Sequence, residues 1–205
     1  MFGAGLYWPC MPPQLRWIAK HRNSPSHGWQ DARMSFYMMM APLHTREARD
    51  WISVAKRSYG IPHQTPPDRG LPSIEQVLSA FRQADCHGRV FLHVRGPSES
   101  IDLASCPHPA TCAESDGLHL GEIGLQVNDR GTSKWSQSTV DELELDAPVM
   151  AMSFRNPTRR GLFAAALALA PQAGPLVVFD DIDAVFVVST EDDPSQMAEQ
   201  WYRLM

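Results

Sequence analysis

The chain predicts an α+β fold, in which a mixed or antiparallel sheet carries helices mainly on one face. Three observations predict it. Short apolar runs of strand length alternate with segments whose apolar residues recur at helical spacing. Clusters of glycine and proline separate these segments. Hydrophobic residues make up 43% of the 205 residues and charged residues 20%, which is enough apolar material for one sizeable core and excludes a wholly disordered chain.

The N-terminal residues differ from the rest, and we expect an irregular arm over residues 1–33 and a single α+β domain over residues 34–205. Pro9, Pro12 and Pro13 interrupt a short apolar stretch in the arm, and the basic residues follow that stretch. A secretory signal has the opposite order, and no apolar run reaches the ~20 residues that a membrane-spanning helix needs. We therefore expect a cytoplasmic protein.

The first half of the domain is predicted to contain a strand and two helices. Residues 34–41 are a continuous apolar run of strand length. Thr45 is a candidate N-cap and Gly60 suits a left-handed C-terminal position, which predicts a helix between them. A second helix is predicted from Ser73, because apolar residues follow it at helical spacing. The apolar positions are Ala48, Trp51, Ile52, Ala55 and Tyr59 in the first helix, and Ile74, Val77, Leu78 and Phe81 in the second.

The middle of the chain is predicted to hold strands and one long loop. Gly88 precedes an apolar strand over 89–94, and residues 96–117 have the prolines and serines of a loop. Asn-Asp-Arg-Gly at 128–131 has the composition of a hairpin turn with a strand on either side. The apolar alternation of the first of these strands shifts by one residue near Gly121, which predicts a β-bulge.

The last third is predicted to contain three strands and two helices. Leu143 and Leu145 alternate with glutamates, so that the leucines share one face. A buried strand over 149–154 precedes a helix that Thr158 caps and Gly174 closes. The other predicted elements are strands over 175–179 and 184–189, joined by an aspartate-rich turn, and a C-terminal helix with Met197, Trp201 and Leu204 on one face.

Two segments share a plan, which raises the question of an internal duplication. Residues 38–62 and 152–176 each contain an apolar strand, a proline, a Thr-Arg helix start, about four turns of helix and a glycine. Two pseudo-repeated strand–helix–strand halves would explain this plan. Their sequence identity is slight, so common rules of helix capping and termination explain it equally well.

Four potential metal ligands, Cys106, His108, Cys112 and His119, lie close together in the sequence. Zinc sites use about four thiolate or imidazole ligands, usually with two to four residues between paired cysteines. Here five residues and two prolines separate the cysteines, and no second cysteine pair follows. We expect an exposed loop without a metal or other cofactor. Zinc with His119 as the best-anchored ligand, or a Cys106–Cys112 disulfide, are the alternatives.

Acidic residues follow one predicted strand at Asp180, Asp181 and Asp183. Carboxylates at a strand end can bind magnesium, but aspartate is also a common turn residue, because its side chain bonds nearby backbone groups. We expect a turn whose exposed carboxylates contribute to a binding surface.

Arg155, Arg159 and Arg160 surround the N-terminus of one predicted helix. Free backbone N–H groups and arginines at such an end can bind an anion, which makes these three residues a candidate anion site. Solvated arginines without a ligand are the alternative.

Tryptophans divide into two groups. Trp51 and Trp201 lie on apolar helix faces and are predicted to be core residues. Trp135 lies in more polar surroundings, and an exposed tryptophan is typical of a binding surface.

These patterns predict a non-catalytic binding protein. The net charge of −5 argues against nucleic acid as a partner and favours a basic protein. Small acidic α+β proteins without a convergent catalytic set include the bacterial immunity proteins, which neutralise a cognate toxin, and this analogy is at the level of class. The alternative is a metal-dependent hydrolase with a zinc or magnesium site. The expected binding surface consists of Glu142, Glu144, Asp180, Asp181, Asp183 and Trp135.

Overall fold

The computed structural model describes residues 36–64, 66–90, 117–129, 131–135, 143–180 and 184–204. This part of the chain forms an α+β domain with one eight-stranded mixed sheet and four helices. The expectation of an arm over residues 1–33 concerns residues outside these ranges. The strands are β1 (Tyr37–Pro42), β2 (Arg57–Tyr59), β3 (His87–Val90), β4 (His119–Asp129), β5 (Thr132–Trp135), β6 (Val149–Arg155), β7 (Leu176–Asp180) and β8 (Ala184–Val188). The helices are α1 (Arg46–Val54), α2 (Ile74–Gln83), α3 (Arg159–Ala173) and α4 (Pro194–Leu204).

The sheet has the strand order β2-β8-β7-β1-β6-β4-β3, and β5 pairs with β4. The pairs β2–β8 and β3–β4 are parallel, whereas the other pairs are antiparallel. The first strand of the described residues, β1, therefore lies in the centre of the sheet, between two strands from the last third. Such an order requires long connections, since parallel strands cannot be joined by a tight turn.

Helices cover the two faces of the sheet unequally. Side chains alternate along β1, so Met38 and Met40 enter the main core and Met39 points to the opposite face. The main core includes side chains of α2, α3 and α4. On the opposite face, Trp51 of α1 stacks on Phe179 with ring centroids 5.9 Å apart. Within the described residues three helices thus share one face, which confirms the predicted arrangement.

Aromatic side chains link the helices to the sheet in the main core. Phe186 of β8 stacks on Trp201 of α4 at 4.5 Å and meets Phe163 of α3 edge to face at 5.6 Å. Phe81 of α2 lies 6.2 Å from Phe154 of β6. Aromatic pairs of this kind add about 0.5–1.5 kcal/mol each beyond their burial. The predicted core positions of Trp51 and Trp201 are confirmed.

The predicted helix starts are confirmed by their caps. The Thr45 hydroxyl accepts the N–H of Ala48 at 3.2 Å. Ser73 and Gln76 form a reciprocal capping box at the start of α2. Thr158 caps α3, and Gly174 closes α3 with φ of 75°.

The predicted end of the first helix is wrong. The helix was expected to continue to Gly60, but α1 ends at Val54 and β2 follows it. Residues of β2 pair with β8 in parallel, and the ring of Tyr59 stacks on Phe186 at 4.9 Å. Pairing with a strand more than a hundred residues away outweighs the weak local preference for helix. Gly60 does adopt a left-handed conformation, with φ of 70°, but it ends a strand.

The predicted bulge lies in β4. His87 pairs with His119 and Arg89 pairs with Glu122, so one extra residue of β4 is accommodated between these pairs. Gly121, in this interval, has φ of 66°, and a Cβ atom there would lie 1.9 Å from the carbonyl oxygen of Arg155.

The predicted hairpin and the leucine pattern are also reproduced in part. Strands β4 and β5 pair in the antiparallel direction up to Asp129 and Thr132, which confirms a hairpin at the predicted turn. Leu143 is buried and Leu145 packs against the core, as predicted, but Leu145 belongs to a turn instead of a strand. The strand predicted over 89–94 is present as β3 to Val90, and its remainder lies outside the described residues.

The duplicated strand–helix–strand layout is not confirmed. α1 packs on the face opposite to α3, and the strands after the two helices take different places. β2 pairs with β8 at one edge, three positions from β1, whereas β7 lies two positions from β6. The shared sequence plan therefore produces two differently arranged units.

Candidate functional site

Three exposed acidic residues lie on neighbouring backbone segments, where the chain before β6 meets the start of α2. The backbone N–H of Glu75 donates to the carbonyl of Leu145 at 3.0 Å, and the N–H of Ala147 donates to the carbonyl of Glu144 at 3.0 Å. These bonds place Glu144 and Asp146 beside the first turn of α2, and all three acidic side chains are exposed. We call Glu75, Glu144 and Asp146 the acidic corner.

Sequence reasoning identified only Glu144 of these three residues. Asp146 follows it in the same short acidic run, which was a usable signal. Glu75 comes from a helix about seventy residues earlier, and no local pattern shows that the two segments meet. Their contact depends on the pairing of Ser73 with Pro148 as an isolated bridge, which is a property of the fold.

Asp180 is separated from the acidic corner by the length of the sheet. It is 1% exposed, and its Oδ1 accepts the N–H of Ala184 at 2.7 Å across the turn between β7 and β8. Met38 pairs with both Asp180 and Phe154, so Asp180 lies level with the end of β6. The acidic corner adjoins Val149, at the start of β6. The distance along β6 from Phe154 to Val149 is about 17 Å at ~3.4 Å per residue. Asp180 therefore bonds the start of β8 and does not belong to the same surface as Glu144.

Trp135 lies at the end of β5, directly opposite Gln126 of β4, and its side chain is half-buried. Two residues further along β4, the N–H of Asn128 donates to the carbonyl of Pro148 at 2.9 Å. Gln126 alternates with the core residues Leu125 and Val127, so its partner Trp135 points to the face of the sheet opposite to the main core and α2. The other predicted binding residues, Glu142, Asp181 and Asp183, lie outside the described residues.

The arginines of the predicted anion site contact different groups. Nη1 of Arg155 lies 3.2 Å from Oε2 of Glu122, in an ion pair that is about half exposed. The guanidinium of Arg159 lies over aromatic rings, and Arg160 is exposed. The rings around Arg159 are those of Tyr202 at 4.6 Å, Phe36 at 5.5 Å and Trp201 at 5.9 Å. Arg155 and Arg159 thus have separate partners, and the anion site stays a prediction.

Two histidines from distant parts of the sequence meet on β3 and β4. His87 and His119 are paired residues of the two parallel strands, and their ring centroids are 5.4 Å apart. Nδ1 of His119 is buried and has no hydrogen-bond partner among the described residues. Burial lowers the pKa of His119 below its ordinary value, and the neighbouring His87 lowers it further. The imidazole of His119 is therefore neutral at neutral pH.

The backbone around His119 is held by the start of α3. The N–H of Thr158 donates to the carbonyl of His119 at 2.7 Å, and the N–H of His119 donates to the Thr158 hydroxyl at 3.2 Å. Helix and strand approach so closely that a Cβ atom on Gly161 would lie 2.9 Å from the backbone nitrogen of His119. His119 was predicted to be the best-anchored of the four candidate ligands, whereas Cys106, His108 and Cys112 lie outside the described residues.

Cys86 precedes His87 but faces the core. Its thiol donates to the carbonyl of Gly161 at 3.6 Å. Burial, with a smaller contribution from the Asp85 charge, raises the pKa of the Cys86 thiol to about 12. A thiol with this pKa stays protonated at neutral pH and is a poor nucleophile. The described residues contain no group of three or more histidine, cysteine or acidic side chains that could hold a metal ion.

Comparisons with protein-family models, curated proteins and solved structures give no match to this chain. In the part of the chain that the structure describes, no helix has both the length and the apolar character needed to cross a membrane.

Proposed function

We propose that this chain is a non-catalytic binding protein, a stoichiometric inhibitor of the immunity-protein type that neutralises a basic toxin in the bacterial cytoplasm. The acidic corner is the observation that carries the proposal. Its carboxylates come from two chain segments that backbone hydrogen bonds hold together. A partner that binds them therefore meets a preformed charged surface, and little conformational entropy is lost on binding.

The charge of this surface fits a basic partner. Exposed carboxylates that act together attract a basic protein over several ångströms and raise the rate of encounter. The net charge of −5 of the whole chain adds to this attraction. A toxin that binds nucleic acid has a basic active-site surface, and an acidic inhibitor would compete for it.

The proposed surface centres on Glu144 and Asp146, with Glu75 beside them. Tryptophan is over-represented among residues that dominate binding energy, so Trp135 stays a predicted contributor from the opposite face of the sheet. Glu142, Asp181 and Asp183 remain predicted contributors, whereas the burial of Asp180 removes it from the proposed surface.

A matched pair of charge-reversal variants tests the proposal. The corner variant carries Glu144→Lys and Asp146→Lys, and the control variant carries Glu191→Lys and Glu199→Lys on exposed positions near and in α4. Each pair changes the net charge from −5 to −1, so a difference between them reflects position and not total charge. Glu75 stays unchanged, because lysine in the first turn would oppose the dipole of α2.

The biological readout is protection of growing cells. The product of the neighbouring reading frame is expressed alone and together with each variant. We expect growth arrest by the product alone, rescue by the wild type and the control variant, and loss of rescue by the corner variant. A corner variant that rescues as well as the control would refute the proposed surface, and a harmless neighbouring product would refute the toxin–inhibitor relationship.

A metal-dependent hydrolase is the second candidate, favoured by the neutral imidazole of His119 on a firmly held backbone. It requires further ligands, for which Cys106, His108 and Cys112 are the predicted residues. Tag-free protein with about one bound zinc per chain and zinc-dependent hydrolysis of a general ester or phosphate substrate would support it. Folded protein that neither contains nor takes up zinc would exclude it.

A further inference from the structure

The pair of imidazoles on β3 and β4 has the separation of two ligands on one metal ion. Zinc–nitrogen bonds of about 2.0–2.1 Å place each imidazole centre about 3.2 Å from the metal, and a tetrahedral angle then separates the two centres by about 5.2 Å. The observed separation between the rings of His87 and His119 is 5.4 Å. We infer that His87 and His119 form a binding site for a divalent transition-metal ion, with zinc, copper and nickel as the suitable class.

The side chains reach the site from one side of the two strands. Cys86 and Leu120 belong to the main core, so alternation along each strand directs the adjacent His87 and His119 away from it. Both histidine side chains are half-buried, and β3 lies at the edge of the sheet, so an ion can reach them from solvent. Water can complete the coordination of an ion bound by two imidazoles.

The strands hold the backbones of both histidines in place before any ion binds. The N–H of His87 donates to the carbonyl of Leu118 at 3.0 Å, and Thr158 fixes the backbone of His119 on its other side. A Cβ atom on Gly88 would lie 2.8 Å from the carbonyl oxygen of Gly121, so the two strands are in close contact beside the histidines. Ligands on rigid elements bind metal more tightly than ligands that must first be ordered.

The nature of the ligands selects the metal. Imidazole nitrogen suits zinc, copper and nickel, whereas magnesium and calcium prefer oxygen ligands. In protein metal sites one imidazole nitrogen binds the ion and the other usually makes an orienting hydrogen bond, whereas Nδ1 of His119 has no such partner among the described residues. The inference does not depend on the proposed inhibitor function, since a metal ion here could support the sheet edge with or without catalysis.

Calorimetric titration of zinc into the tag-free full-length chain tests the inference. The variants are His87→Gln and His119→Gln, and His63→Gln is the control because it removes an exposed histidine elsewhere. We expect one zinc per chain for the wild type and the control, and an affinity lower by about tenfold or more for each site variant. Magnesium in place of zinc should give no saturable binding.

Two results would overturn the inference. One is wild-type protein that shows no saturable zinc binding. The other is zinc affinity that survives both site variants but is lost in Cys106→Ser or Cys112→Ser, because the ion would then bind elsewhere. Circular dichroism without metal establishes that each variant is folded. If both site variants unfold, copper-loaded wild type decides the question: electron paramagnetic resonance should show two equatorial imidazole nitrogens, and fewer than two would contradict the site.

Discussion

The Thr158 hydroxyl connects the start of α3 to the start of β4, and its removal should destabilise the whole domain. It accepts the N–H groups of Gly161 and His119, each at 3.2 Å. It also donates toward the carbonyls of His119, at 2.9 Å, and Gly117. Thr158 is 7% exposed, so water cannot replace these bonds freely when Thr158→Val removes the oxygen.

The size of the effect follows from the number of bonds. One hydroxyl proton serves one acceptor at a time, so Thr158→Val removes about three hydrogen bonds worth ~1 kcal/mol each. We therefore expect the free energy of unfolding to fall by about 3 kcal/mol. In a domain of this size, that loss lowers the melting temperature by roughly 10 °C. Thr158→Ser keeps the hydroxyl and should cost only about 1 kcal/mol for the lost methyl group.

Urea unfolding followed by circular dichroism measures these differences. Thr45→Val is a useful comparison, because Thr45 caps α1 but makes no bond to a distant strand: its hydroxyl accepts from Ala48 and donates to Pro42. We expect the loss of stability to increase in the order Thr158→Ser, Thr45→Val, Thr158→Val. Equal stability of Thr158→Val and Thr158→Ser would refute the role of the hydroxyl as the connection between α3 and β4.

Two further predictions concern Gly121 and Cys86. Gly121→Ala should lower the free energy of unfolding by about 3 kcal/mol or more, because its Cβ would lie 1.9 Å from a backbone oxygen. Gly131→Ala is the control: Gly131 has a similar φ but open space around it, so the loss should be only about 1–2 kcal/mol. Equal losses in urea unfolding would contradict the close contact at the bulge. Folding raises the pKa of Cys86 to about 12, so the unfolded chain loses its thiol proton at lower pH than the folded chain. The free energy of unfolding should therefore fall as pH rises from about 9 to 12, and it should fall less in Cys86→Ala. Identical pH profiles of stability for the wild type and Cys86→Ala would contradict this. Iodoacetamide should label Cys86 only after unfolding, as peptide mass spectrometry can show.

Local features of the fold were predictable because local residues determine them. Thr45, Ser73 and Thr158 are capping residues next to helical apolar patterns, and each caps a helix as predicted. The shift of apolar alternation near Gly121 marked the bulge in the same way. A cap or a bulge depends on residues within one or two turns, all of which are visible in a short stretch of sequence.

Features that depend on strand order were not predictable. β2 forms because β8 lies beside it, and the helical spacing of residues 48–59 gave no sign of that partner. Glu75 meets Glu144, and His87 meets His119, through pairings between segments more than thirty residues apart. Asp180 was expected at a surface turn, but the surrounding chain buries it.

The association rate of the corner variant with the proposed partner, the purified product of the neighbouring reading frame, tests the central claim most directly. Stopped-flow mixing at low and at physiological salt would compare the wild type, Glu144→Lys/Asp146→Lys and Glu191→Lys/Glu199→Lys. Rim charges act mainly on the association rate, so we predict a corner variant slower than the control variant by about tenfold or more at low salt, with a weaker salt dependence. Equal association rates for the corner and control variants would contradict the assignment of the acidic corner as the docking surface.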